Sequence, residues 1–173
     1  MSSLPQNIFL IGFMGAGKTT IGKKLASKLQ YKFIDLDAYI ESQSNMTIAE
    51  MFVKYGEKEF RIIERDSLRK LMKESCQIIS CGGGTPIFHN NMDSMKAHGV
   101  VVYLESNVGK LFHRLKKNRF KRPLIKNLND LELREFIIKK LEERNPIYRE
   151  ADIVFNTDLG MLDLIELVMA HDS

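Results

Sequence analysis

A glycine-rich octapeptide near the N-terminus constrains the fold of this chain more than any other segment. It reads Gly12-Phe-Met-Gly-Ala-Gly-Lys-Thr19, fits the pattern G-x-x-x-x-G-K-[ST], and follows the apolar run at residues 8–11. This arrangement predicts a buried strand that ends at a glycine loop and continues as a helix. Glycines let successive backbone N–H groups point at one anion, and the helix N-terminus adds partial positive charge. The segment therefore predicts a nucleotide-phosphate site, with an ordinary glycine turn before a helix as the alternative.

Two side chains of this loop have the chemistry to act on a bound nucleotide. Lys18 would reach the β- and γ-phosphates, and the hydroxyl of Thr19 would ligate Mg²⁺. The other residues expected to contact the phosphates are Gly15, Ala16, Gly17 and Thr20. The loop thus predicts a nucleoside triphosphate that is bound together with Mg²⁺.

Apolar runs that alternate with helical periodicity predict an α/β domain. Ile21, Leu25 and Leu29 recur every four residues and give the first helix one apolar face. Strands are predicted at residues 8–11, 32–34, 77–80, 100–104 and 153–155. Helices are predicted at residues 18–29, 57–73, 90–97, 107–117, 130–144 and 161–170, and Pro146 lies beyond the end of the fifth of these. Two more helices are predicted, one that begins at about residue 38 and one that runs from residue 48 to a left-handed C-cap at Gly56. Strands separated by helices indicate a five-stranded parallel sheet, which binds ligands at the carboxyl ends of its strands.

Length and composition limit the classes of protein to which the chain can belong. Its 173 residues are 44% hydrophobic and 28% charged, as expected for a single globular domain over residues 1–173. The sequence shows neither an apolar run of transmembrane length nor the pattern of a signal peptide. Cys76 and Cys81 suit neither a disulfide framework nor a zinc site. We therefore expect a cytoplasmic protein that does not bind membranes.

The positive charge of the chain is unevenly distributed. Residues 106–129 contain eight Lys or Arg residues and no Asp or Glu. Beside a nucleotide site, such a segment indicates a phosphate clamp, in which Arg122 could close over the γ-phosphate and exclude water. A solvated basic loop and an RNA-binding surface are the alternatives, although no aromatic-rich motif for stacking bases is present.

Two further polar motifs directly follow predicted strands. Asp35 and Asp37 lie in a segment whose alternation would aim both carboxylates to one side. One could hold Mg²⁺, and the other could take the proton of a substrate hydroxyl as phosphate transfers; a polar turn with Asp37 as a helix cap is the alternative. Gly82, Gly83 and Gly84 indicate close approach of a ligand to the main chain, whereas a flexible loop is the other interpretation.

Arginine is favoured for gripping a carboxylate or phosphate, a task for which its guanidinium group is well shaped. Arg61 lies between Glu57 and Glu64 at spacings that predict ordinary surface ion pairs, so spacing alone favours a surface position for it. Arg144 and Arg149, near Pro146, are undistinguished by their local sequence, and either could serve in a pocket.

Taken together, these motifs resemble the shikimate kinase family over nearly the whole chain. The matching stretches are residues 12–20, 33–37, Gly56-Glu-Lys-Glu-Phe-Arg61 with Glu64, 82–84, Arg122-Pro-Leu124 and Glu143-Arg-Asn-Pro-Ile-Tyr148. The resemblance implies a three-layer P-loop kinase fold with strand order 2-3-1-4-5 and helices on both faces of the sheet. It also implies transfer of the γ-phosphate of ATP to the 3-hydroxyl of shikimate, a step in the synthesis of aromatic amino acids.

The resemblance assigns roles to single residues. Asp37 would bind the substrate hydroxyls and assist deprotonation, while Arg61 and Arg144 would grip the shikimate carboxylate. Thr19 would ligate Mg²⁺, and Asp35 would reach the ion through water. Backbone groups of Gly82, Gly83 and Gly84 would contact the ring, and Arg122 would act from a lid near the phosphates. The residues expected to be catalytic are Lys18, Asp37 and Arg122.

The resemblance further implies how the chain is organised and what it binds. Residues of about 36–64 would bind the substrate, those of about 115–127 would form the lid, and those at 156–158 resemble the loop on the adenine side. We expect a monomer that acts on the small molecules ATP and shikimate and that does not bind nucleic acid. Another P-loop kinase, for gluconate or a nucleoside monophosphate, and a non-catalytic nucleotide- or RNA-binding module are the alternatives.

Overall fold

The protein, described here for residues 4–171 by a computed structural model, is built on a parallel sheet. Its strands are β1 (Asn7–Ile11), β2 (Lys32–Asp35), β3 (Gln77–Ser80), β4 (Val100–Glu105) and β5 (Ile153–Asn156). All of the pairings are parallel, and the strands lie in the order β2-β3-β1-β4-β5. The predicted strand order is therefore confirmed.

Helices cover both faces of this sheet. They are α1 (Lys18–Leu29), α2 (Leu36–Ser44), α3 (Ile48–Leu71), α4 (Asn91–Lys96), α5 (Val108–Asn118), α6 (Asp130–Tyr148) and α7 (Met161–His171), with short 3₁₀ turns at Thr85–Ile87 and Arg119–Lys121. None of the helices within residues 4–171 is long and apolar enough to cross a membrane.

The alternation of side chains along β1 explains the three layers. Ile8 and Leu10 face a core that contains buried residues of α1, α5, α6 and α7. Phe9 and Ile11 face a second core, which contains buried residues of α2, α3 and α4. Both faces of a central parallel strand are thus buried, as its continuous apolar sequence predicts.

The N-termini of two helices follow directly from local sequence. Thr47 caps α3 through a capping box, in which its hydroxyl accepts from the Glu50 N–H while the Glu50 carboxylate accepts from the Thr47 N–H. Asn129 and Glu132 form the same arrangement at the start of α6. Helix α3 therefore begins at Ile48, the start that the sequence predicts.

One predicted helix end is right in position only, and another is wrong. Gly56 interrupts α3 with φ 76°, as predicted, but its ψ of 171° is not that of a left-handed C-cap, and the helix resumes directly after it. Helix α6 does not stop at Arg144 but continues through Pro146 to Tyr148. A proline removes only one donor, and after it the Arg149 N–H still bonds to the Asn145 carbonyl at 2.9 Å. The extra turn brings the buried Tyr148 to the carboxyl edge of the sheet.

Candidate active site

A cavity of about 780 Å³ lies at the carboxyl ends of the strands. It brings together most of the residues that the sequence singled out, namely Gly15, Gly17, Lys18, Thr19, Thr20, Asp35, Asp37, Gly82, Gly83 and Arg122. Ala16 is buried, and Gly84, Arg61 and Arg144 adjoin the site through contacts described below. The polar features that follow separate strands therefore converge on one rim, as predicted.

The glycine loop has the backbone conformation that its sequence predicts. Gly15 and Gly17 have φ values of 82° and 98°, a region that favours glycine. Lys18 begins α1, and its ammonium group donates hydrogen bonds to the carbonyls of Gly12 at 2.7 Å and Phe13 at 3.0 Å. The loop thus holds this lysine against itself, at the helix N-terminus where an anion is favoured.

Burial changes the acidity of Lys18. It lowers the pKa of the ammonium group to about 8, because the charged form loses hydration, and the nearby Asp37 carboxyl opposes the effect. An ammonium group that is poorly hydrated and has only carbonyl partners gains more from a phosphate than an exposed lysine would. The lysine is therefore well placed to bind and stabilise the charge of a terminal phosphate.

Asp35 and Asp37 are brought together, but not by the alternation that the sequence suggested. Asp35 caps α2, since its Oδ1 accepts from the Ala38 N–H at 3.3 Å, while its Oδ2 accepts from the Thr19 hydroxyl at 3.2 Å. Asp37 lies in the first turn of α2 rather than in an extended segment, so it is not the cap. The helix, and not a continued strand, directs the Asp37 carboxyl into the cavity.

The surroundings of Asp37 make it a stronger base than an ordinary aspartate. Burial raises its pKa to about 6, and the negative charges of Glu64 and Asp35 add to the effect, while Lys18 opposes it. A carboxylate with a pKa near the working pH is suited to accept a proton during a reaction. This property agrees with a role as the base of the site.

We expect a direct titration to detect this shift. In ¹³C NMR spectra of the ligand-free protein labelled at aspartate carboxyls, one resonance should titrate near pH 6, about two units above an unperturbed aspartate. Asp37→Asn should remove that resonance. If every aspartate titrates below pH 4.5, the electrostatic description of Asp37 is wrong.

The three consecutive glycines form the point at which the charged side chains meet. A β-carbon at Gly82 would lie 3.3 Å from Oδ1 of Asp37, and one at Gly83 would lie 2.9 Å from Nη1 of Arg144. At Gly84 a β-carbon would lie 2.5 Å from Nη2 of Arg61, closer than atoms can approach. The glycines thus allow two guanidinium groups and one carboxyl to approach the same stretch of main chain.

Arg61 is largely covered by neighbouring side chains and adjoins the glycine segment. Its side chain is only 11% exposed, and it pairs with Glu64 at 2.9 Å and with Glu57 at 3.2 Å. Both pairs are those that the helical spacing predicts, but Glu64 is itself 1% exposed. The guanidinium group also lies 4.5 Å from the ring centre of Phe88. The interpretation as an ordinary surface ion pair is therefore wrong.

Arg144 also reaches the glycines. Its guanidinium carbon lies 5.9 Å from the ring centre of Phe13, and a β-carbon at Gly83 would lie 2.9 Å from its Nη1. The same β-carbon would lie 3.5 Å from the Tyr148 hydroxyl, which donates to the carbonyl of Gly83 at 2.5 Å. The added turn of α6 therefore brings a second side chain to the glycine segment beside Arg144.

Sequence reasoning missed several residues of the site. Tyr148 and Glu64 were read only as parts of motifs, because their contacts depend on burial that spacing does not reveal. Arg114 was one of many basic residues in the acid-free segment, yet its guanidinium group donates to the Gly15 carbonyl at 2.9 Å. Cys81 lines the cavity with a buried thiol, whose pKa is raised by burial and whose Sγ lies 3.7 Å from Sδ of Met95. A buried thiol with a raised pKa contributes to packing and is a poor nucleophile.

The oxygen atoms of Thr19 and Asp35 form the part of the site that suits a hard divalent cation. The two side chains are adjacent, and both line the cavity. Within residues 4–171, no group of three or more His, Cys, Asp or Glu side chains is arranged to hold a metal ion. A pair of oxygen ligands that leaves room for phosphate and water fits a nucleotide-bound metal rather than an all-protein metal centre.

Comparison with known proteins decides the family. The sequence model of shikimate kinase matches residues 14–165 of this chain. The chain belongs to the shikimate kinase family. A shikimate kinase of Parabacteroides distasonis is 44% identical over 153 residues, which cover 88% of each chain. The family assignment makes this protein an ATP-dependent phosphotransferase that acts on a hydroxyl group of shikimate and therefore uses a divalent metal ion.

Solved structures give the same result. A shikimate kinase from Bacteroides thetaiotaomicron superimposes with a TM-score of 0.86 at 41% identity, and the match covers 96% of both chains. A shikimate kinase from Acinetobacter baumannii in complex with shikimate superimposes with a TM-score of 0.87 at 33% identity, covering 98% of this chain and 95% of that one. The predicted P-loop kinase fold of the family is thus confirmed.

Proposed function

We propose that this site transfers the γ-phosphate of ATP to the 3-hydroxyl of shikimate, with Lys18, Asp37 and Arg122 as the catalytic residues. One observation carries the assignment. Asp37, Arg61 and Arg144 all approach the glycines at 82–84, and Asp37 shares its cavity with the phosphate-binding loop. A site of this form can hold an anionic polyol so that one of its hydroxyl groups faces a terminal phosphate.

The glycine loop acts on the phosphates. The backbone N–H groups of residues 15–20 and the N-terminus of α1 bind the negative oxygens, and Lys18 leaves its carbonyl partners to contact the γ-phosphate. Arg122, half-buried in the same cavity, adds a second positive charge. Together these groups stabilise the charge that spreads over the phosphoryl oxygens as the bond to ADP breaks.

The glycine segment and the side chains around it hold and activate the acceptor. Arg61 and Arg144 grip the shikimate carboxylate, and backbone groups of residues 82–84 contact the ring. Asp37 accepts a hydrogen bond from the reacting hydroxyl and takes its proton as the oxygen attacks phosphorus. Two arginines at one end and a base at the other fix which hydroxyl reacts.

Thr19 and Asp35 would hold the metal ion, for which we propose Mg²⁺. Their hydroxyl and carboxylate oxygens are ligands that Mg²⁺ accepts, and water and phosphate oxygens would supply the rest. Bound there, the ion would supply positive charge that offsets the charge of the transferring phosphate. The Thr19 hydroxyl donates to Asp35, so the two side chains are adjacent.

We further propose that residues of about 115–127 form a lid and that those of about 36–64 bind the substrate. Leu115 and Ile125 are buried in the core, whereas Phe120 and Leu124 between them are 77% and 69% exposed. Two buried anchors with apolar side chains exposed between them suit a segment that closes over a ligand and excludes water. Arg122 lies on this segment, so closure would bring it toward the phosphates.

The basic segment favours small-molecule substrates over RNA. Several of its cations are engaged with the chain itself, since Lys116 and Arg119 both pair with Asp130, and Arg114 bonds to the glycine loop. Cations that are neutralised in this way contribute little to binding a polyanion. We propose that the protein works as a monomer in the cytoplasm, where its two free cysteines remain reduced.

A coupled assay for ADP release tests the proposed function. With ATP and Mg²⁺, shikimate should be phosphorylated far faster than gluconate or a nucleoside monophosphate, and product analysis should place the phosphate on the 3-hydroxyl. Faster turnover of either competing acceptor would show that a different P-loop kinase is the better description. Salt-sensitive RNA binding without any phosphoryl transfer would favour a non-catalytic module.

Arg61→Ala tests whether this arginine acts in the shikimate site or in the ATP site. It should raise KM for shikimate by about 10- to 100-fold and change KM for ATP by less than threefold, because a carboxylate loses a charged partner. Arg69→Ala, on the exposed side of the same helix, serves as the matched control and should leave both constants unchanged. Equal increases for both substrates would place Arg61 outside the acceptor site.

A further inference from the structure

Thr85 is the first residue after the three glycines, and it is fully buried. Its hydroxyl donates to Oε1 of Glu64 at 2.6 Å, which is a short hydrogen bond. The same threonine is held by its backbone, because its carbonyl accepts from the Asn91 side chain at 2.9 Å. The hydroxyl therefore has a fixed position beside the glycine segment, 3.2 Å from where a β-carbon at Gly82 would lie.

Glu64 connects the Thr85 hydroxyl to Arg61. Its second oxygen, Oε2, accepts from Nη1 of Arg61 at 2.9 Å, so the two oxygens of one buried carboxylate are divided between a hydroxyl and a guanidinium group. With a single partner, the carboxylate could turn about its terminal torsion, which is broad for glutamate. The second bond removes that freedom and thereby fixes the guanidinium group beside Gly84.

We propose that Thr85 is a positioning residue for acceptor binding, whose hydroxyl fixes Glu64 so that Glu64 holds Arg61 ready for the substrate carboxylate. The inference rests on the proposed role of Arg61 and deepens it. Thr85 faces Glu64 and not the phosphate-binding loop, so its effect should be confined to the acceptor. A preorganised guanidinium group binds more tightly because less order remains to be imposed upon binding.

Thr85→Val replaces the hydroxyl with a methyl group of similar size and tests this assignment. It should raise KM for shikimate about tenfold while kcat and KM for ATP stay within about twofold. Thr85→Ser retains the hydroxyl and should restore all three constants to within about twofold of the parent values. Thr85→Ala removes the hydroxyl without inserting a second methyl group, and it gives the same test should the valine variant fail to fold.

A double-mutant cycle identifies the route of the effect. In a Glu64→Gln background, Thr85→Val should raise KM for shikimate by less than threefold, because the partner through which it acts has already been altered. The proposal is overturned if Thr85→Val and Thr85→Ala leave KM for shikimate unchanged, raise both KM values equally, or show their full effect in that background. Failure of the parent protein to phosphorylate shikimate would instead reject the proposed function, so the two failures are distinguishable.

Discussion

Lys18→Ala should lower kcat by about 10³-fold, because it removes a positive charge that acts on the transferring phosphoryl group. The expected loss is large since burial weakens the hydration of the ammonium group and lowers its pKa to about 8. A charge in such surroundings interacts with the developing negative charge more strongly than one in water. KM for ATP should rise less than kcat falls, because the backbone N–H groups of the loop still bind the phosphates.

Steady-state kinetics with saturating Mg²⁺ and shikimate would measure this loss. Lys28→Ala, on the exposed last turn of the same helix, is the matched control and should retain the parent kcat. Circular dichroism should show the same fold for both variants. A kcat for Lys18→Ala within tenfold of the parent would remove the lysine from the catalytic residues.

Local patterns were sufficient to predict most of the fold. The strands β1 and β4 are buried on both faces and read as continuous apolar runs, and the glycine loop marks the start of α1 within one residue. The prediction was poorest where tertiary contacts overrule local signals. Helix α6 continues through Pro146 because the added turn buries Tyr148, and no feature of the sequence around Arg144 shows this.

The site was predictable to the extent that it follows from motifs. The loop lysine, the hydroxyl after it and the acidic pair all line one cavity, as their positions after parallel strands predict. The position of Arg61 beside the site could not be predicted from its local sequence. Its spacing to Glu57 and Glu64 gave the correct partners, but only the burial of Glu64 distinguishes a structured pocket from a surface pair. The hydroxyl of Thr85, 21 positions from Glu64, could not be found from spacing at all.

Asp37→Asn should lower kcat by about 10²- to 10⁴-fold, since the amide cannot take the proton of the reacting hydroxyl. The parent rate should fall as the pH drops through about 6, where protonation converts Asp37 to a group that no longer accepts a proton. The residual rate of the variant should lack that dependence. Asp66→Asn, exposed on α3, is the control and should behave as the parent does. A variant that retains most of its kcat at pH 7.5 would exclude Asp37 as the base.

The same substitution should stabilise the ligand-free protein by an amount that depends on pH. The carboxyl of Asp37 has a pKa of about 6 when folded and about 3.9 when unfolded, so the unfolded state loses its proton more readily. The ionised group therefore destabilises the fold progressively from pH 4 to pH 6 and fully above it, by about 3 kcal/mol at most. Asp37→Asn should raise Tm at pH 8 and leave it unchanged near pH 3.5. A fall in Tm at pH 8 would mean that the carboxylate stabilises the empty site, contrary to its position beside Asp35 and Glu64.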